Sequence, residues 1–237
     1  MRATVLGPLL GLLLGVGVLS GRALAYDPYD PNNCNGAGWD DERMQAVSKV
    51  IARPRVSFIK SPYDDDFKAE GCPAATEACR KQSYLAAGDL VLLGQTRGDF
   101  TCVSYQSPLA RKNFWMSGWL PSAVLAPVAP MRAPKRSDWI GTWAHPGSGI
   151  DIKNGGGGKL YIEAVAVLST PSGDSHNGGF KALVKPGTDA LVFTDEGSYG
   201  DGCHVKMQRI GPWLLVEDNG GCGGSGVSFL GLYRRKT

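Results

Sequence analysis

The sequence predicts an all-β protein made of two small barrels and held together by disulfides. Short runs in which apolar and polar residues alternate are separated by glycine-rich turns, which is typical of strands with one buried face. The six cysteines form an even set, as expected of paired thiols. A segment with three prolines, APVAPMRAPKRS, interrupts the alternation near the middle of the chain and has almost no large apolar side chain.

The first 25 residues have the features of a secretory signal peptide. One basic residue, Arg2, precedes an apolar run at 5–19, and the small-residue sequence Ala23-Leu24-Ala25 follows. A run of about 15 apolar residues is shorter than the ~20 that a spanning helix needs, which disfavours an uncleaved membrane anchor. We therefore expect cleavage after Ala25 and a mature chain, without a membrane span, in the periplasm or outside the cell.

The charge of the mature chain predicts neither a nucleic-acid partner nor an anionic membrane. The full chain carries 25 Lys and Arg against 22 Asp and Glu, and loss of Arg2 and Arg22 with the signal peptide leaves a net charge near +1. The basic runs at 135–136 and 234–236 are short, and such runs are typical of a solvated surface.

Two units of similar size are expected, because the chain is long for one small β domain and its pattern is broken once. The proline-rich segment at 126–137 buries little, which favours an extended linker. We therefore divide the chain into the signal peptide 1–25, a first unit at 26–125, the linker at 126–137 and a second unit at 138–237.

The second unit shows the alternation most clearly. In one run Val205 and Met207 point to one side, while His204, Lys206 and Gln208 point to the other, which predicts one buried face and one face in water. This density of strands and turns predicts a small antiparallel β-barrel of about eight strands. The expected strands lie at 140–143, 149–152, 159–168, 179–184, 190–195, 203–210, 213–217 and 227–234.

A glycine-rich stretch near the C-terminus, DNGGCGGSGVSF, contains the spacing Gly221-x-Gly223-x-x-Gly226 of dinucleotide-binding loops. Such a loop needs a helix N-terminus behind it, whereas the residues that follow alternate in strand fashion. Too few residues remain for the crossover helix and the ribose-binding acid of that fold. We therefore interpret the glycines as structural, with positive φ expected at Gly223 and Gly224 around a disulfide.

We expect this disulfide to join Cys203 to Cys222. If Gly211 and Pro212 form a hairpin turn, Cys203 lies opposite Gly220, which places Cys222 within bridging reach.

The other four cysteines allow three pairings. Nearness in sequence favours Cys72 with Cys79, which leaves Cys34 with Cys102. Neither a C-x2-C motif nor clustered histidines occur, so we expect no metal and no cofactor.

The first unit is also predicted to be mainly β. Its expected strands lie at 56–59, 90–95 and 100–105, followed by a strand that carries Trp115 and Trp119. The segment at 40–52 is predicted to form a short helix, because acidic residues stand in its first turn.

Three motifs in this unit resemble those of bacterial SH3-like domains. They are Gly88-Asp89-Leu90-Val91, the turn at Gly98-Asp99 before an aromatic residue, and Gly118-Trp119-Leu120. The resemblance covers 56–125, with Phe100 standing where that family has Trp. It implies a small barrel on which exposed aromatic side chains line a shallow groove for a peptide or glycan.

The second unit opens with Asp138-Trp139-Ile140-Gly141-Thr142-Trp143 and closes with Val227-Ser-Phe-x-Gly-x-Tyr-Arg. In these motifs it resembles a module found at the ends of exported proteobacterial proteins. Its opening also resembles lipocalin-type barrels and the small barrels of periplasmic lysozyme inhibitors. The last resemblance implies inhibition of a wall-degrading enzyme.

No set of residues indicates catalysis. The three histidines, His145, His176 and His204, are expected in a loop, in a glycine-rich turn and on a wet strand face, without a convergent acid and nucleophile. All cysteines are expected to be paired, which disfavours a cysteine nucleophile. The chain is therefore predicted not to be an enzyme.

Tyr105, Trp115 and Trp119 are the candidate ligand-binding residues, with core packing as the alternative role, above all for Trp119. We predict an exported, monomeric binding protein that recognises peptidoglycan, through its peptide or its glycan, or another envelope protein. The alternative is an inhibitor of a wall-degrading enzyme such as lysozyme. An envelope hydrolase would need a catalytic set that the sequence does not show.

Overall fold

The computed structural model describes residues 27–67, 69, 71–107, 110, 114–170, 173–195 and 202–236. Within these ranges the chain forms fifteen strands, two four-residue α-helices and one short 3-10 helix. The strands make two antiparallel sheets, a seven-stranded half-barrel and an eight-stranded, nearly closed barrel. The predicted all-β class is therefore confirmed. The predicted signal peptide lies outside the described residues.

The first sheet combines hairpin neighbours with strands that are distant in sequence. Its strands are β1 (Val47–Val50), β2 (Arg55–Ile59), β3 (Arg80–Ala86), β4 (Leu90–Arg97), β5 (Phe100–Tyr105), β6 (Met116–Pro121) and β7 (Leu125–Pro127). Their spatial order is β3-β2-β6-β5-β4-β1-β7. Helix α1 (Asp64–Phe67) lies between β2 and β3. The concave face buries Phe58, Leu85, Val91, Val103 and Leu120.

The second sheet is the C-terminal barrel, which helix α2 (Arg136–Trp139) precedes. Its strands are β8 (Gly141–His145), β9 (Ser148–Asn154), β10 (Leu160–Ser169), β11 (Ser175–Val184), β12 (Ala190–Asp195), β13 (Cys203–Ile210), β14 (Trp213–Asp218) and β15 (Gly231–Arg235). Their order is β11-β10-β9-β8-β15-β14-β13-β12. Trp139 and Trp143 are fully buried in its core, where two large aromatic rings contribute much of the apolar area removed from water.

The β13–β14 hairpin has the register predicted from the sequence. Val205 faces Asp218 and Ile210 faces Trp213, so that the turn falls at Gly211, whose φ is 56°. Glycine is favoured there because it has no Cβ to clash in the left-handed region.

All six cysteines are paired in the way the sequence suggests. Cys203 is bonded to Cys222, Cys72 to Cys79 and Cys34 to Cys102.

The prediction of a helix at 40–52 is wrong. Asp40 Oδ1 instead accepts hydrogen bonds from the backbone N–H groups of Glu42 and Arg43, which forms a turn. The chain then enters β1 (Val47–Val50), which pairs with both β4 and β7. Long-range strand pairing and the burial of its valines thus override the local helix signal.

The glycine-rich stretch completes one edge of the barrel. Gly223 forms an isolated antiparallel bridge with Gly178 of β11, and the N–H of Gly224 donates to the carbonyl oxygen of Asn177 over 3.1 Å. The stretch therefore pairs with a strand whose hydrogen-bonding groups would otherwise lack a neighbour on that side.

The expectation of positive φ at Gly223 and Gly224 is wrong, because the positive φ values fall on Gly220 and Gly226, at 77° each. Gly223 is required for a different reason. A Cβ at this position would lie 2.6 Å from Gly178 Cα and 3.0 Å from the carbonyl oxygen of Asn177, so two backbones meet too closely for any side chain. At Gly224 the nearest atom to such a Cβ is 3.5 Å away, which is an ordinary contact.

These distances predict opposite outcomes for two adjacent substitutions. Gly223→Ala should lower the free energy of unfolding by about 1–3 kcal/mol, since the strand and the loop must move apart. Gly224→Ala should stay within about 0.5 kcal/mol of the wild type. Urea denaturation of both variants measures the difference. Equal losses at the two positions would contradict the close approach of Gly223 to Gly178.

The two sheets share a hydrophobic cluster, which we call the interface. Val47 and Leu92 of the first sheet pack with Ile210 and Leu215 of the barrel, and all four side chains are buried. The segment expected to be an extended linker takes part, since Val128 packs against this cluster and its N–H donates to the carbonyl oxygen of Val47 over 2.9 Å.

A buried ion pair lies at the same interface. Lys206 and Glu217 face each other across β13 and β14, are 5% and 1% exposed, and have Nζ and Oε2 3.7 Å apart. The segment before β1 covers them, because Lys206 Nζ donates to the carbonyl oxygens of Asp40 and Arg43 and the N–H of Gln45 donates to Glu217 Oε1. The expectation that Lys206 faces water is therefore wrong.

Candidate functional site

A cavity of about 170 Å³ lies at the interface, between the end of β5 and the turn that joins β8 to β9. Both sheets line it. Its lining includes the rings of Tyr105, Trp115, His145 and Trp213 together with the guanidinium of Arg234. A concave, largely apolar surface with a few polar groups is typical of small-molecule binding sites.

Tyr105 is fixed in the cavity wall by a carboxylate. Its Oη donates to Asp89 Oδ1 over 3.3 Å, and Asp89 Oδ2 accepts the N–H of Ala86 over 2.8 Å. Burial, and then the charge of Asp89, raise the pKa of Tyr105, so its hydroxyl keeps its proton. The Asp89 carboxylate thus orients the Tyr105 ring from the turn before β4.

Trp213 and Arg234 form a second wall, contributed by the barrel. They face each other across β14 and β15, and the Arg234 guanidinium carbon lies 4.6 Å from the centroid of the Trp213 ring. Stacking of this kind holds a guanidinium in place while its N–H groups remain available. Arg234 is exposed and forms no ion pair with any described residue.

His145 lies at the end of β8 and is only 8% exposed. Its ring stacks on that of Tyr233 with 4.8 Å between centroids, and the Trp115 centroid lies 6.2 Å away. Burial lowers the pKa of His145 to about 4, so the imidazole is neutral at neutral pH. Its Nε2 is buried and has no hydrogen-bond partner among the described residues.

The neighbours of His145 do not form a catalytic triad. Ser148 Oγ lies 3.4 Å from His145 Nδ1, but it lies closer, 2.7 Å, to Tyr233 Oη, which in turn donates to the carbonyl oxygen of Phe229. Burial raises the pKa of Tyr233, so this phenol keeps its proton. No carboxylate among the described residues hydrogen-bonds to His145, whereas a triad needs one to orient its imidazole.

The structure separates the three aromatic residues selected from the sequence. Tyr105 and Trp115 line the cavity. Trp119 does not, since it is fully buried among the first sheet's disulfides and its Nε1 donates to the carbonyl oxygen of Asn32 over 3.0 Å.

Sequence reasoning missed the barrel's contribution to the site. His145 was expected in a loop, Trp213 in a strand, and Arg234 in a solvated basic run. The one available signal was the alternation of β15, which places Leu232 and Arg234 on the face opposite the buried Tyr233. That pattern predicts the face of the strand on which each residue lies, but not which part of the chain packs against that face.

Comparisons with protein families, with curated proteins and with solved structures find no match for this chain. The function is therefore inferred from the site itself. Among the residues that the structure describes, no group of three His, Cys, Asp or Glu side chains could hold a metal ion. In the same part of the chain no helix is long and apolar enough to cross a membrane.

Proposed function

We propose that this chain is an exported binding protein, without catalytic activity of its own, that captures a component of the cell wall in the cavity between its two sheets. The observation that carries the proposal is the cavity, where aromatic residues from both sheets surround a small, mostly apolar space. The Arg234 guanidinium stands at its edge and forms no ion pair with any residue that the structure describes. Export is supported by the apolar leader sequence and by three disulfides, which persist in oxidising compartments.

The construction of the cavity favours binding over catalysis. Its histidine is neutral and buried, its tyrosine is protonated, and its carboxylate is occupied by a backbone N–H group and a phenol. The lowered pKa makes the His145 imidazole a weak base at neutral pH, the Tyr105 phenol keeps its proton, and the Asp89 carboxylate already accepts two hydrogen bonds. The aromatic rings and the guanidinium are suited to contact a ligand without changing it.

The cavity is preformed, which lowers the entropic cost of binding. The buried cluster at the interface, and the hydrogen bonds from Lys206 and Glu217 of the barrel to the segment before β1, hold the first sheet against the barrel. The resemblance of residues 56–125 to bacterial SH3-like domains also supports recognition of a wall peptide or glycan.

Co-sedimentation with purified peptidoglycan tests the proposal. The disulfide-bonded protein should be retained, and Trp115→Ala should lower its affinity at least about tenfold, because a central aromatic residue contributes much of the binding energy at such sites. Phe114→Ala is the matched control. Phe114 precedes Trp115 and is 66% exposed but does not line the cavity, so its loss should change little.

Three outcomes would contradict this proposal. The first is failure of the wild type to sediment, and the second is an equal loss of affinity in both variants, which would place binding outside the cavity. The third is inhibition of lysozyme in a cell-lysis assay without binding to bare peptidoglycan, a result that would support the inhibitor instead.

A further inference from the structure

A second cavity adjoins the first at Trp115. It has a volume of about 320 Å³, and Ser104 and Trp115 line both cavities. Its other walls come from both sheets and include Ala37, Ser117 and Leu168. Trp115 therefore stands between two spaces that together run along the interface.

We infer that the two cavities form one extended site for an oligosaccharide of two or more sugars that carries a carboxylate, with Trp115 between neighbouring sugar subsites and Arg234 pairing with the acid. This inference rests on the proposed function, because it names the ligand class of the same site. The first cavity, at about 170 Å³, lies below the ~300–1,000 Å³ typical of ligand pockets. The second cavity, at about 320 Å³, lies at the lower end of that range, and because Ser104 and Trp115 line both cavities, a ligand that contacts them reaches both spaces.

The lining of the second cavity favours a sugar. Ser104 Oγ is buried and accepts the N–H of Ala37, and it lies 3.1 Å from the hydroxyl of the half-buried Ser117. The Ser117 hydroxyl matches the hydroxyl groups of a sugar, while the ring of Trp115 offers a flat apolar surface for the C–H face of a pyranose. A short hydroxyl side chain beside an aromatic ring suits a ligand that is polar at its edge and apolar on its face.

The topology disfavours an extended peptide. A peptide that joins a sheet needs an edge strand with unpaired N–H and C=O groups. The strands that line the two cavities are β4, β5, β6, β8, β10, β14 and β15, and each has a neighbour on both sides over at least part of its length. Recognition through side chains is therefore favoured over strand addition.

Charge complementarity selects an acidic ligand. Arg234 is the cation at the edge of the first cavity, and its N–H groups are held over Trp213 without a carboxylate partner among the described residues. A guanidinium binds a carboxylate through two parallel hydrogen bonds, a geometry that a neutral sugar does not reproduce. Asp89, the acidic residue of the lining, is already bonded to Ala86 and Tyr105.

Calorimetry with peptide-free glycan fragments of peptidoglycan, of one, two and four sugars, tests the inference. Wild-type affinity should rise about tenfold or more between one sugar and the longer fragments. Ala37→Leu, which fills the second cavity, should remove this gain, so that one-sugar and four-sugar fragments bind alike. Arg234→Gln should weaken fragments with a free carboxylate about tenfold more than the same fragments with an amidated carboxylate.

The outcomes separate this inference from the proposed function. Retention on intact peptidoglycan with equal affinity for one and four sugars, or with no effect of Ala37→Leu, would overturn the extended site alone. Binding of the free stem peptide in place of the glycan would overturn the ligand class. Failure of intact peptidoglycan to retain the wild type would overturn the proposed function itself. Circular dichroism of each variant confirms that it is folded.

Discussion

Replacing Lys206 with Met should lower the free energy of unfolding by about 3–5 kcal/mol, because it leaves the Glu217 carboxylate charged and buried without its cation. The ammonium of Lys206 lies 3.7 Å from that carboxylate and 4.2 Å from the centre of the Trp39 ring. It also donates to the carbonyl oxygens of Asp40 and Arg43, which would lose a charged donor in the variant. Chemical denaturation with the disulfides intact measures the loss.

Two further variants show whether burial is the cause. Lys206→Met combined with Glu217→Gln should recover most of the stability, since a neutral amide at this position can still accept the N–H of Gln45. Lys181→Met removes the lysine of an exposed cross-strand pair, Lys181 with Glu163 at 2.8 Å, and should have a much smaller effect. Similar losses in Lys206→Met and Lys181→Met would contradict a buried pair.

The pH dependence of Lys206→Met has a defined sign. Burial raises the pKa of Glu217 in the folded protein, and removal of the nearby cation raises it further. The loss in the free energy of unfolding caused by Lys206→Met is therefore largest above the raised pKa, where the buried carboxylate must be charged. It decreases as the pH falls toward the ordinary glutamate value of about 4.3, because the protonated side chain tolerates burial.

Features set by neighbouring residues could be predicted from the sequence. The β13–β14 register follows from one turn at Gly211 and the alternation on either side of it, and the Cys203–Cys222 bond follows from that register. Tyr105 and Trp115 are candidates because aromatic side chains on an SH3-like barrel line a shallow groove, and both line the cavity.

Features that depend on contacts between distant parts of the chain could not be predicted from the sequence. Lys206 alternates like a residue in water, and the segment that covers it, around Asp40, lies in another part of the sequence. The valines of β1 occupy a stretch with a helix-like start, and only their pairing with β4 and β7 makes them a strand. The cavity has the same origin, since His145 and Arg234 meet Tyr105 only when the two sheets pack.

The segment that covers Lys206 is itself held by a disulfide, which leads to the second large effect. Cys34 and Cys102 are 68 residues apart, and replacing both with Ala should lower the free energy of unfolding by about 4 kcal/mol, because the unfolded chain regains the entropy of a long loop. The same change at Cys72 and Cys79, which are 7 residues apart, should cost only about 2–3 kcal/mol. A larger loss from the short loop would contradict the entropic account.

The effects of Lys206→Met and of removing the Cys34–Cys102 disulfide on the free energy of unfolding should also be coupled. The Cys34–Cys102 bond ties the residues before β1 to β5, and the N–H of Ala37, three residues further on, donates to Ser104 Oγ over 2.8 Å. Without the bond, this segment covers Lys206 and Glu217 less tightly, so water reaches the pair. Lys206→Met should then cost less in the Cys34→Ala/Cys102→Ala background than in the wild type, with a coupling energy above the ~0.5 kcal/mol expected of independent sites. Strict additivity would mean that the segment stays docked on the barrel through its backbone hydrogen bonds alone.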